Sequence, residues 1–256
     1  MDWPALRAEI SAATARVCEL LRALPSGDLP LARVTWTAAE LGAHLAGLPG
    51  RYVRMSGEPH PFPASLADEN QREVDAVATR DPVALAGLLE AEMASFLAAS
   101  GADGQRRAWY FTVPHTVEGV GASLLSELLL HGTDLARALG RPWPISRVQA
   151  VTCLRGVLPA VVLAVDPRAA RTATGTYHVA LRGGDDWAFR VRDGELTVAR
   201  ERPARADLHL SVDPVGFLLN SVGLVGSARF ALSGGVLAWG RRLWLAPRFS
   251  RLFVPI

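Results

Sequence analysis

Glu127 and His131 are four residues apart in the run Leu124-Leu125-Ser126-Glu127-Leu128-Leu129-Leu130-His131. Four residues is about one helical turn, so both side chains leave the same face of one helix. A carboxylate and an imidazole are costly to bury in an apolar wall unless something pairs them. A divalent metal would do so, and so would a buried polar network. His44, in the amphipathic stretch from Ala39 to Tyr52, offers a third ligand if the two helices pack face to face. Two imidazoles and one carboxylate suit zinc, with nickel, iron or manganese as alternatives, and three protein ligands leave a position open for catalysis.

Other residues would support that centre. Asp134 shares the face of His131 and either receives the second imidazole N–H or pairs with Arg137 or Arg141. Arg51 lies seven residues beyond His44 on the same helix face. Arg72 and the Arg241-Arg242 pair are further cations able to grip an acidic substrate. Glu40 is better explained as a helix cap than as a ligand. His178 and His209 occupy polar phases of predicted strands and are expected to face solvent; His60 and His115 are expected in loops. The chain shows no Ser/His/Asp signature, phosphate-cradling glycine loop or CxxC pair.

The elements that must position these groups follow from apolar spacing and stop signals. Residues 4–24 carry an amphipathic helical stripe that Pro25-Ser26-Gly27 ends. Thr37 and Glu40 fit a capping box, flanked by Trp36 and Leu41 as a hydrophobic staple, so a second helix starts there. After the Pro-rich linker 59–63, helices are expected over 64–79 and 82–99, the latter opened by Asp81-Pro82. Residues 106–115 read as a crossing loop or short strand, 119–139 as the helix bearing Glu127 and His131, and 147–165 as a further helix. Antiparallel helices of this length predict a four-helix bundle over residues 1–166.

From residue 167 the pattern changes. Residues 176–182, 186–192, 195–201 and 206–212 alternate apolar and polar positions, and Asp193-Gly194 suits a tight hairpin. Amphipathic stretches follow at 213–222 and 226–245. This predicts a small α+β domain over 167–256. Its Trp239, Trp244, Phe249 and Phe253 either form that domain's core or line a pocket for an apolar ligand, which would make the chain a carrier or sensor.

Composition narrows the function classes. With 27 basic residues against 25 acidic ones, the net charge of +2 gives no reason to expect nucleic acid as a partner. Every basic residue is arginine, so Schiff-base chemistry and a lysine general base are excluded. The two cysteines, Cys18 and Cys153, sit among apolar neighbours and read as buried reduced thiols, in keeping with a cytoplasmic location. No signal peptide is evident, and the apolar run 156–165 is too short to span a bilayer, so no membrane association is expected.

Two stretches, Trp36-Thr37-Ala38-Ala39-Glu40-Leu41-Gly42-Ala43-His44-Leu45 and Glu127-Leu128-Leu129-Leu130-His131-Gly132-Thr133-Asp134-Leu135-Ala136, resemble the mycothiol-dependent maleylpyruvate isomerase family. Asn70 and Arg72 resemble its intermediate helix with lower specificity. The stretches 185–189 and 234–242 resemble the sterol-carrier-protein-2-like domain that follows in that family. The resemblance implies a DinB-like N-terminal bundle with metal ligands at His44, Glu127 and His131. It also implies mycothiol as thiol cosubstrate, an actinobacterial source, and isomerisation or thiol transfer on an electrophilic substrate. A structural metal in a thiol-independent bundle enzyme is a further alternative.

Overall fold

The computed structural model describes residues 1–254, which divide into two compact units, the first ending at Ile145 and the second beginning at Ser146. The first unit holds four long helices: α1 (Trp3–Arg22), α2 (Ala38–Gly57), α4 (Pro82–Ser100) and α5 (Val117–Ala138). The short α3 (Leu66–Ala76) and a hairpin of β1 (Arg107–Tyr110) and β2 (Val113–Thr116) complete it. Helix α2 packs on α4 and α5, and α1 packs on α4 and α5, which is the predicted helical bundle. Its core is the apolar stripes of these helices, with Leu6, Ile10, Leu41, Leu45, Leu85, Leu89, Leu125 and Leu129 fully buried.

Local chemistry fixes where α2 begins. The Thr37 hydroxyl accepts from the Glu40 N–H at 3.3 Å, and the Glu40 carboxylate accepts from the Thr37 N–H at 2.8 Å. This is the predicted capping box, and Glu40 is occupied by it. The start of α2 sets the phase of its later residues, so His44, Leu45 and Leu48 are buried. Cys18 and Cys153 are both buried and outside any disulfide, and burial pushes Cys18 up to about 12.

The second unit begins at α6 (Arg147–Val157), earlier than the expected boundary after residue 166. Pro159 lacks an amide donor, and the helix expected over 147–165 gives way at Leu158 to a 3-10 segment ending at Ala164. Helix α6 packs on α8 (Pro214–Ser221), which accounts for its place in the second unit. After α7 (Pro167–Thr172) come β3 (Gly175–Leu181), β4 (Asp186–Arg192), β5 (Glu195–Ala199) and β6 (Leu208–Val212). Asp193 and Gly194 both adopt positive φ, as the β4–β5 turn requires.

The stretch 226–245 is not one amphipathic element. It divides into α9 (Ser227–Leu232), the edge strand β7 (Val236–Trp239) and a 3-10 turn at Leu243–Leu245, before α10 (Ala246–Phe249). Gly234 and Gly240, both at positive φ, bracket the strand. Arg182 donates to the Gly235 carbonyl at 2.7 Å and holds the turn into it. The sheet order is β5-β4-β3-β6-β7, with β3 and β6 parallel and the other pairs antiparallel. One sheet face carries the core residues Tyr177, Val179, Phe189, Leu208 and Leu210; the other carries His178, Asp186, His209 and Trp239.

Candidate metal centre

Helices α2 and α5 bring His44, Glu127 and His131 together. Each offers one ligand atom, and these atoms all lie within 4.8 Å of one another. Nε2 of His131 is 3.3 Å from a Glu127 carboxylate oxygen. The His44 ring stands edge-on to that of His131, with centroids 5.2 Å apart, and Trp36 packs on its other side at 4.8 Å.

The electrostatics push the three groups in different directions. Burial, with His131 and the Arg51 cation beside it, pushes His44 down to about 3 and keeps it neutral. Burial alone would push the Glu127 carboxyl up, but His131, His44 and Arg51 outweigh it and hold it at about 2. Burial also lowers His131, while its bonds to Asp134 and Glu127 more than offset that and raise it.

Behind His131 lies a fixed support. Its Nδ1 is 3.4 Å from Asp134 Oδ2, which leaves Nε2 directed at Glu127. Asp134 is itself buried and accepts a forked pair of bonds from Arg33, with Nε–Oδ1 at 3.0 Å. Of the two alternatives for Asp134, the structure therefore has the carboxylate on the imidazole. Arg33 sits in the loop before α2, 101 residues from Asp134, and no local motif announces it.

The three arginines expected at the substrate divide. Arg51 is nearly buried; its guanidinium is held by both Glu73 oxygens at 2.9 Å and by Asn70 at 2.6 Å, and its charge reaches His44 and Glu127. Arg72 is exposed and pairs with Glu69 of its own helix. Arg241 belongs to the second unit, where it pairs with Asp207 at 3.3 Å. Two phenols that sequence reading did not single out also feel the Glu127 charge. Tyr52 is buried, and burial raises it well above its ordinary range; burial likewise pushes Tyr110 up to about 12.

The donor set fits a divalent ion. Nδ1 of His44 is buried with no hydrogen-bond partner, so a ring nitrogen of one proposed ligand has no competing bond. Two neutral-capable imidazoles and one carboxylate are what zinc and its neighbours take. A sequence profile described as the mycothiol maleylpyruvate isomerase N-terminal domain matches residues 5–136, more than half of the chain. The chain belongs to this family. No curated protein matches it in sequence.

In three dimensions the chain is similar to the crystal structure of the mycothiol-dependent maleylpyruvate isomerase, at a TM-score of 0.55 and 15% identity, with 93% of each chain covered. A histidine-to-alanine mutant of that enzyme matches over the same shares at 0.54 and 14%. These likenesses give the chain that fold. Sterol Carrier Protein 2 Like 2 from Aedes aegypti aligns with 42% of this chain and 100% of its own, at a TM-score of 0.33 and 18% identity.

Within the mycothiol maleylpyruvate isomerase N-terminal domain the glycine after His131 has a physical reason. A β-carbon on Gly132 would run into the indole of Trp143, whose Nε1 donates to the Leu129 carbonyl at 2.9 Å. Arg16 lies over the same indole at 4.0 Å. The ring thus braces α5 one residue from a proposed ligand.

His60 stays in the Pro-rich linker as expected, and the other three histidines depart from expectation. His178 is 3% exposed instead of facing solvent: its Nε2 bonds Asp186 at 2.6 Å and its Nδ1 bonds His209 Nδ1 at 3.0 Å. His209 is half-buried and stacks on Trp239 at 5.4 Å. His115 lies in β2, and His60, exposed in the Pro-rich linker, bonds the Arg54 carbonyl. The four aromatics considered for a pocket do not act together either. Phe249 packs in the core against Tyr177, Phe189 and Phe253, whereas Trp239 and Trp244 are half exposed.

Proposed function

We propose that the chain is a metal- and mycothiol-dependent enzyme, an isomerase of the maleylpyruvate type or a thiol S-transferase. The convergence of His44, Glu127 and His131 on one point, with no fourth His, Cys, Asp or Glu grouped with them among the described residues, is the observation that carries this reading. Zinc is the ion the donors suit best. When bound, such an ion supplies Lewis acidity that lets a thiol lose its proton at neutral pH.

The protein's own groups divide the remaining work. Asp134, locked by Arg33, would hold the His131 tautomer that leaves Nε2 free as a ligand atom. Arg51, locked by Glu73 and Asn70, contributes positive charge beside the centre for a substrate carboxylate. Arg72 would have to exchange Glu69 for substrate to join it. Tyr52 and Tyr110, both kept protonated, lie within electrostatic reach of Glu127.

In the isomerase form the thiolate sulfur adds to one carbon of a cis double bond, and the electron pair moves to a neighbouring carbonyl. The carbon–carbon link, now single, rotates. Return of the electron pair expels the thiolate and leaves the trans product. In the transferase form the adduct is protonated and the carbon–sulfur bond is kept. The buried thiols Cys18 and Cys153 fit a reducing compartment for this chemistry.

Metal analysis and calorimetry test the reading. The purified protein is expected to hold one divalent ion per chain and to bind mycothiol, and His131→Ala to lose both. Full metal occupancy with no thiol binding in the parent overturns it.

A further inference from the structure

The second unit ends in a surface of unusual composition, independent of the thiol chemistry. Residues 214–256 contain five arginines and no aspartate or glutamate, while residues 1–213 carry 22 arginines against 25 acidic residues. The chain's entire positive excess therefore lies in its last stretch. The same stretch also holds most of the exposed apolar surface. Among the described residues nine large hydrophobic side chains are exposed, and six of them fall between 232 and 254. Leu232 is 89% exposed, and Leu237, Trp239, Leu243 and Trp244 are each at least half exposed.

These side chains belong to the end of α9, the edge strand β7 and the turn that follows it. Leu237 and Trp239 are two apart on β7 and so share one face. Arg242 and Arg248 lie over the indole of Trp244 at 4.8 and 4.6 Å, which puts two cations at the level of one apolar ring. Arg229, Arg241, Arg248 and Arg251 are all exposed. Asp207 partly offsets Arg241 and Arg242, being 3.3 and 4.0 Å from them.

We infer that this surface docks on an anionic lipid bilayer. Trp with Arg is the pairing suited to the interface, where an amphipathic ring and a charged head on an apolar stem both find their medium. The exposed leucines supply apolar area to bury at the acyl boundary, and the arginines are attracted to anionic headgroups. A second copy of the chain is a poorer occupant, because a two-fold contact sets five arginines against five arginines. Nucleic acid would use the arginines but gain nothing from Leu232, Leu237 and Leu243.

Sedimentation of the full, metal-loaded chain with vesicles tests the proposal. Phosphatidylcholine vesicles are compared with vesicles containing about one-third phosphatidylglycerol, at low and high salt. Uptake is expected on the anionic vesicles alone and is expected to fall with salt. At about 1 kcal/mol per basic side chain near such a surface, Arg229→Gln and Arg251→Gln should each weaken binding roughly fivefold. Leu237→Ser with Leu243→Ser should weaken it about tenfold or more. All four substitutions fall on exposed side chains, and an unchanged circular dichroism spectrum establishes that the variants fold. Equal uptake by neutral vesicles overturns the proposal, as does binding that the arginine variants leave unchanged. So does a concentration-dependent dimer, or binding of duplex DNA, without vesicle uptake.

Discussion

The molecule contains two clusters of two histidines and one carboxylate, and they are built in opposite ways. In the first unit His44, Glu127 and His131 converge, with one ligand atom from each within 4.8 Å of the others. In the second, Asp186, His178 and His209 form a chain in which each group is bonded to the next. The Asp186 carboxylate accepts from Nε2–H of His178, so in the neutral ring Nδ1 accepts from Nδ1–H of His209. A chain of this kind satisfies its members internally. A convergent cluster leaves a nitrogen of His44 unsatisfied and requires something else. Residue type is thus a weak guide to chemistry; what decides is whether spare lone pairs meet.

Metal stoichiometry probes that contrast most strongly. His131→Ala should abolish tight binding of a divalent ion, whereas His178→Ala with His209→Ala should leave one ion per chain, both read by elemental analysis after dialysis. A fall in the second variant would show that the chained cluster also holds metal. A smaller effect belongs to the residue behind the ligand. Asp134→Asn keeps the shape but weakens the hold on the His131 tautomer, and should reduce metal affinity about 10- to 100-fold in a competition titration with a chromophoric chelator.

The convergent cluster was legible in the sequence because its determinants are local. The spacing of Glu127 and His131 sets their shared face, and the Thr37–Glu40 capping box sets the phase of α2 and hence of His44. Arg33 was not legible, since its partner Asp134 is 101 residues away and only tertiary packing joins them. The chained cluster was misread for a related reason. Strand alternation places His178 and His209 on the polar face, but cross-strand register pairs them there and removes His178 from water. A polar phase is a statement about a sheet face, and solvent contact depends on what else shares that face. The continuous stretches 147–165 and 226–245 gave way at Pro159, Gly234 and Gly240, where the backbone breaks its period.

The two clusters also differ in how rigidly their scaffold is held. His131 stands on a helix braced by Trp143 against Gly132, so Gly132→Ala forces the indole aside. The overpacking should cost about 1–3 kcal/mol in urea denaturation. Metal affinity should fall along with stability, because the displaced ring also carries the bond to the Leu129 carbonyl. If stability falls and affinity does not, the brace serves the fold alone.

The smallest effect lies in the chained cluster and concerns pH. Burial, the neighbouring His178 and the Arg202 cation lower the pKa of His209 below the ordinary value near 6.5. As pH falls, the unfolded chain takes up this proton first, so the contribution of His209 to stability is fully present above pH of about 6.5 and lost on acidification. Protonation adds its proton at Nε2 of His209 and keeps the Nδ1–H bond to His178, so the loss comes from burial and from charge, not from a broken bond. Comparing urea denaturation of the parent and His209→Gln at about pH 7.5 and about pH 5.5 isolates the term, since groups common to both cancel. The parent's advantage over the variant should shrink at the lower pH. Growth of that advantage would mean that the chain welcomes the proton, and that its two imidazoles are arranged to share one.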